Sequence, residues 1–229
     1  MHRIALINMK GGSGKTTIAT CLAAYYADKG IKTSLTDYDL QSSSIGWLKR
    51  RDINKPTIYG IDATNRNKAM TLSWQLQPPA DTEISILDTP AGITISELVR
   101  VIDRSDSLLI PVLPSQIDIQ AAARFIEVLL LQGKIRGKNK NIGIIANRIH
   151  TNTLSYQALE KFLARLDIPL IAKFRSIQSY IHASDRGLGL HELATHQASK
   201  ELKQWDNLIH WLDEHHSEKY PKTPLSLLG

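Results

Sequence analysis

A chain of 229 residues is long enough to cover one α/β sheet on both faces and to bury a substantial core. With 42% apolar and 22% charged residues it reads as globular, and apolar runs such as residues 107–112 fall far short of the ~20 needed to cross a bilayer, so no transmembrane helix is expected. Twenty-eight Lys and Arg against 22 Asp and Glu leave a charge of +6, which favours polyanionic partners, nucleic acid or a nucleotide among them.

Cys21 is the single cysteine, so one chain cannot build a disulfide, a cysteine zinc cluster or a four-thiolate iron–sulfur site, and a reducing cytoplasm fits. The first strand begins within three residues of the N-terminus, and secretion is therefore not expected. His191, His196, His215 and His216 show no metal-site spacing.

In chain order, the pattern predicts a strand over 3–8, a glycine-rich loop, and a helix over 16–29 whose apolar face carries Ile18, Cys21, Leu22 and Tyr25 and which stops at Gly30. Strands over 32–36, 57–62 and 83–87 follow, then a helix over 93–103, a strand over 107–112 and a helix over 117–131. Gly133 and Gly137 break the chain before a strand over 141–146; a helix over 155–166 ends before Pro169, and a last helix spans 200–215. Such alternation predicts an α/β fold, a mostly parallel twisted sheet with helices on both faces, in a single domain over 1–216. Residues 217–229, with two prolines, are expected to form a flexible tail.

The loop carries the clearest chemistry. Gly11, Gly12 and Gly14 let backbone N–H groups turn inward around phosphate oxygens, Ser13 adds another N–H, and Lys15, Thr16 and Thr17 open the helix whose N-terminus attracts anions. Lys15 would neutralise phosphate charge and the Thr16 hydroxyl would ligate magnesium.

The loop departs from G-x-x-x-x-G-K-[ST]: Met9 stands at the first glycine position and a second lysine, Lys10, follows. In this form it resembles the deviant Walker A motif of the ParA/MinD family, ATPases that segregate plasmids and position chromosomes or other cargo. The resemblance implies a P-loop NTPase using ATP and Mg2+, with Lys10 reaching the partner's phosphates across an ATP-sandwiched homodimer. Asp37-Tyr38-Asp39-Leu40-Gln41 resembles the family's Asp-x-Asp-x-Gln segment, implying that Asp37 helps hold the magnesium shell and Asp39 orients or activates the attacking water. Asp88-Thr-Pro-Ala-Gly92 resembles its Walker B and switch segment, which makes Asp88 a water-mediated magnesium ligand. Asn147, in the segment ending Asn-Arg148, is the implied adenine contact.

Without a helix-turn-helix domain before the P-loop, the sequence looks like the small family type, and nonspecific double-stranded DNA is the expected polyanion, with a ParB-like adaptor stimulating hydrolysis in the cytoplasm on the nucleoid. Lys134, Arg136, Lys138 and Lys140, then Lys173, Arg175, Lys200 and Lys203, are the candidate DNA contacts. Lys49, Arg50 and Arg51 suggest cargo or dimer contacts. The alternatives are a MinD-like membrane regulator and a small-molecule amidase or synthetase of the same fold.

Overall fold

The computed structural model describes residues 1–64, 77–132, 140–193 and 195–219. Seven parallel strands form one sheet: β1 (His2–Leu6), β2 (Thr33–Asp37), β3 (Ile58–Asp62), β4 (Ile84–Asp88), β5 (Ser107–Val112), β6 (Asn141–Ile149) and β7 (Leu170–Arg175), in the order β3-β2-β4-β1-β5-β6-β7. The helices are α1 (Lys15–Asp28), α2 (Ser43–Arg50), α3 (Ile95–Arg104), α4 (Gln116–Gln132), α5 (Leu154–Leu163), α6 (Ser179–Asp185) and α7 (Thr195–Lys219).

Strands β2, β4 and β5 are buried along their whole length because helices cover both faces. One core joins Ile4, Leu6, Leu35, Ile84 and Ile86 to α1, α7 and Trp47; the other joins Ala5, Ile7, Leu87 and Ile110 to α3, α4 and α5. Helix α1 is buried on nearly every side, and its alanines 19, 23, 24 and 27 allow close approach of its neighbours. An entry turn held by a capping box starts α3: Glu97 N–H donates to Thr94 Oγ1 at 3.3 Å, and Thr94 N–H to Glu97 Oε2 at 3.0 Å.

Three elements escape the sequence pattern. Helices α2 and α6, of eight and seven residues, are too short for a helical period to stand out, and the apolar run of β7 is broken by Lys173 and Arg175. Helix α7 begins at Thr195 and continues through Lys219, so the expected flexible stretch starts as helix and the remainder lies outside the described residues. The break at Gly133 and Gly137 and the basic residues Lys134, Arg136 and Lys138 also lie outside them.

Arg51, expected to face a partner, is internal. Its two terminal nitrogens donate to both oxygens of Glu192 at 2.7 Å, with side chains 6% and 0% exposed, and its guanidinium lies 5.4 Å from the Trp47 ring. Glu192 also accepts the Gly189 N–H, so one carboxylate joins the end of α2 to the turn before α7. Substituting Arg51→Ala leaves that carboxylate buried without its cation, and urea denaturation should show a loss of about 3–5 kcal/mol, with a much smaller change for Lys49→Ala.

Candidate functional site

The site lies at the carboxyl ends of β1, β2 and β4, where connections depart to either side of the sheet and open α/β folds bind ligands. β1 ends at Leu6, and Asn8 braces the loop beyond it: its Nδ2 donates to Pro111 O at 2.7 Å and its Oδ1 accepts the Lys10 N–H at 2.8 Å. Gly12 and Gly14 take φ of +76° and +95°, a left-handed region costly for other residues. At Gly14 a second constraint applies, since a Cβ would run into the side-chain nitrogen of Asn147. Asn147 Nδ2 donates to Ser13 O at 2.8 Å while its Oδ1 accepts the Arg148 N–H at 2.9 Å. The amide implied for adenine thus braces the P-loop through its Nδ2 in this structure, while its Oδ1 is held by the backbone of its own strand.

Lys15 curls back beneath the loop, its Nζ donating to Asn8 O at 2.9 Å and Lys10 O at 3.5 Å. Burial lowers its pKa, opposed by the charges of Asp88 and Asp39. Lys10 behaves differently. Its side chain is 40% exposed, and its ammonium stands 3.6 Å from Asp118 Oδ1 at the start of α4. Within one chain Lys10 faces a carboxylate that motif reading did not single out.

Asp88 is the junction of three segments. Its Oδ2 accepts hydrogen bonds from Thr16 Oγ1 and Ser44 Oγ, each at 2.7 Å, and its Oδ1 is buried with no hydrogen-bond partner among the described residues. Burial pushes its pKa up to about 6 against the opposing effect of those two hydroxyls. An orphaned buried oxygen beside a threonine hydroxyl fits a hard cation such as Mg2+, which takes oxygen donors. Asp37, the register partner of Asp88, directs Oδ1 to the Asp39 N–H and Oδ2 to the N–H groups of Ser44 and Ile45. It therefore holds the N-terminus of α2. Oδ1, which accepts a single N–H, keeps a lone pair for a water-mediated contact, whereas Oδ2 already accepts two. Asp39 is half-buried, and its Oδ1 accepts the Gln41 N–H at 3.0 Å. Ser44 was missed in the sequence; its only signal was a run of three serines after Gln41.

Beside the first turn of α1, a cavity of about 350 Å³ is lined by Thr17, Ile18, Asn147, Phe174, Ile177 and Tyr180, among others. It is large enough for a base, and apolar side chains from β7 and α6 form much of it. Arg148, at its edge, holds a φ of +51°.

The basic candidates are dispersed. Lys140 donates to Asp103 O and Ser105 O at the end of α3, and Lys173 pairs with Glu160 at 2.9 Å. Arg175 and Lys203 are exposed. Among the described residues no helix is long and apolar enough to cross a membrane.

A strand, a glycine loop with two left-handed turns, a buried lysine and a helix N-terminus beside a buried aspartate define a P-loop nucleotide-binding protein. Residues 4–190 match the CobQ/CobB/MinD/ParA nucleotide binding domain, and the chain belongs to that family. It is 28% identical over 208 residues to maintenance of carboxysome distribution protein A of Halothiobacillus neapolitanus, spanning 88% of this chain and 93% of that protein. Among solved structures, a putative plasmid partition protein of Borrelia burgdorferi bound to AMPPNP superposes with a TM-score of 0.70 at 15% identity, covering 93% of this chain and 98% of the other. The cell division protein MinD of Aquifex aeolicus gives 0.67 at 20% identity, covering 98% and 99%. The expected α/β P-loop fold is thereby established.

Because its folded pKa is raised, Asp88 favours folding most when protonated and increasingly opposes it as pH rises from about 3.8 to about 6. Asp88→Asn should raise the Tm above pH 6 by the equivalent of about 2–3 kcal/mol and leave it nearly unchanged below pH 4. Thermal scans across that range, without magnesium, check this.

Proposed function

We propose that this chain is a ParA-like ATPase that closes into an ATP-sandwiched homodimer, binds nonspecific DNA in that state, and positions a cargo with a partner protein that stimulates slow hydrolysis. The observation that carries this reading is the division of labour between two lysines on one loop. Lys15 is buried under the phosphate cradle, whereas Lys10 stands on the rim with its ammonium partly in solvent. A rim cation adds nothing to cradling one nucleotide from beneath, but it suits two polyphosphates brought face to face, whose repulsion it offsets.

In this reading the N–H groups of residues 11–17 and the Lys15 ammonium orient the triphosphate, and the cavity beside Thr17 and Asn147 takes the base. Asp39, on the exposed side of the Asp37–Gln41 turn, orients the attacking water and accepts its proton. Thr16 and Asp88, with Asp37 through water, would hold Mg2+, which supplies charge neutralisation on the phosphates when bound. Asp37 also transmits change at the site to α2 through the Ser44 and Ile45 N–H groups.

Cargo identity follows the relatives' names: a carboxysome-like protein compartment and a plasmid are the two classes they suggest. The chain would act in the cytoplasm, on the nucleoid. Exposed Arg175 and Lys203 and the net charge of +6 support a DNA surface, one of phosphate contacts without base readout.

Lys15→Ala should abolish ATP binding in equilibrium titrations. Lys10→Ala should keep nucleotide binding by the monomer but lose ATP-dependent dimerisation in analytical ultracentrifugation; a dimer that persists overturns the role in trans. Asp39→Ala should bind ATP, accumulate as dimer and hydrolyse at least about tenfold more slowly.

Binding to random-sequence duplex should require ATP, fail with ADP, and weaken steeply with added salt. Equal binding in all nucleotide states, or none with ATP binding intact, overturns the DNA-positioning reading; capture by anionic vesicles instead would favour the membrane regulator.

A further inference from the structure

On the sheet face away from α1, beside the apolar core of Ala5, Ile7 and Leu87, a patch of β2, β4 and β1 is polar where a doubly covered parallel sheet is ordinarily apolar. Ser34, Ser85 and Arg3 are register partners in one row across these three strands. Ser34 is fully buried and its hydroxyl has no hydrogen-bond partner among the described residues. Thr36 and Tyr38 continue the same face of β2 by alternation. Together with Arg3, Ser85, Gln77 and Arg104 from the end of α3, they line a cavity of about 230 Å³.

The chemistry of this lining is one-sided. Thr36 and Ser85 are 3% and 4% exposed, yet their hydroxyls make no hydrogen bond among the described residues. Among the described residues neither the Arg3 nor the Arg104 guanidinium forms an ion pair. The carboxylate of Asp106 is directed to the Arg3 backbone N–H at 2.8 Å, not to its guanidinium. Both arginines act on the Tyr38 phenol, opposing the upward shift of its pKa by burial. The cavity thus gathers two guanidinia, three hydroxyls and an amide beside Pro78 and Leu87, and no carboxylate among the described residues lines it. Guanidinia and hydroxyls gathered at the mouth of a cavity, without a carboxylate among the described residues to pair them, favour an anionic acceptor.

We propose that this cavity binds a small oxyanion, phosphate or a short dicarboxylate, at a site distinct from the P-loop. Its volume is below the roughly 300 Å³ at which sites for drug-sized ligands begin, which suits a compact anion and is too small for a nucleotide. Guanidinium forks and hydroxyls are the groups that bind such oxygens in pairs. Tyr38 lies between Asp37 and Asp39, so an anion held against the phenol and Arg104 bears directly on the segment that supports α2 and carries the proposed water-orienting carboxylate.

Calorimetric titration of inorganic phosphate and of succinate into the wild-type chain and the Lys15→Ala variant separates this site from the P-loop. One saturable anion per chain is expected, retained in Lys15→Ala and weakened about tenfold or more when Arg3→Met or Arg104→Met is added to it. Arg104 is exposed at a helix end, so its substitution should leave the Tm of the anion-free protein unchanged and carries the test if Arg3→Met unfolds. Preference for phosphate or succinate identifies the source of the oxyanion. Binding that disappears in Lys15→Ala, binding insensitive to both arginine substitutions, or no saturable binding of either anion overturns the site.

Discussion

A carboxylate buried at the end of the fourth strand organises this molecule. Asp88 has one oxygen shared by the hydroxyls of Thr16 and Ser44 and the other without a hydrogen-bond partner among the described residues, so the starts of α1 and α2 converge on a single incompletely satisfied charge. Burial of such a group opposes folding at neutral pH, and its pKa of about 6 records that cost. A cation would relieve it, and in the proposed reading the same atoms that make the site unstable alone would favour a hard ion accompanied by phosphate. Stability is exchanged for a binding site at the one point where three strand ends and two helix N-termini meet.

The phosphate loop is braced from two directions. Asn8 ties its entry to β5 through Pro111 O, and Asn147 ties its crown to β6 through Ser13 O. Gly14 is consequently constrained twice, by its left-handed backbone and by the amide that occupies its side-chain position. The bracing explains how a loop rich in glycine, and entropically expensive to order, keeps one conformation. It also gives the lysines separate places, Lys15 beneath the loop and Lys10 beside Asp118 on its rim.

Behind the site, the turn from Asp37 to Ser44 joins chemistry to scaffold. Asp37 accepts three backbone N–H groups, two of them opening α2, and α2 leads to Arg51, whose pairing with Glu192 anchors it to the turn before α7. A rearrangement of the Asp37–Gln41 turn would be felt at that anchor, because Trp47 and Arg51 are packed too tightly for α2 to move without its surroundings. On the opposite face, Tyr38 connects the same turn to the arginine-lined cavity.

Much of this was determined by local sequence. Glycines at 12 and 14 before Lys15-Thr16 demand left-handed turns leading into a helix, and apolar runs bounded by turn residues demand strands covered on both faces; neither depends on distant partners. The parallel α/β class, the P-loop and the placing of Asp37 and Asp88 at strand ends were legible for that reason. Tertiary structure alone decided what depends on residues far apart in the chain. Arg51 looks like surface charge until Glu192, 141 positions later, folds against it. Ser44 looks like one of three equivalent serines until α2 turns its hydroxyl onto Asp88, and Asn147 becomes a brace of the P-loop only when β6 is set beside β5. Helices α2 and α6 are too short to carry a period of their own and β7 is broken by Lys173 and Arg175; all three owe their conformation to burial against the rest of the molecule, a force that acts only once the chain has collapsed.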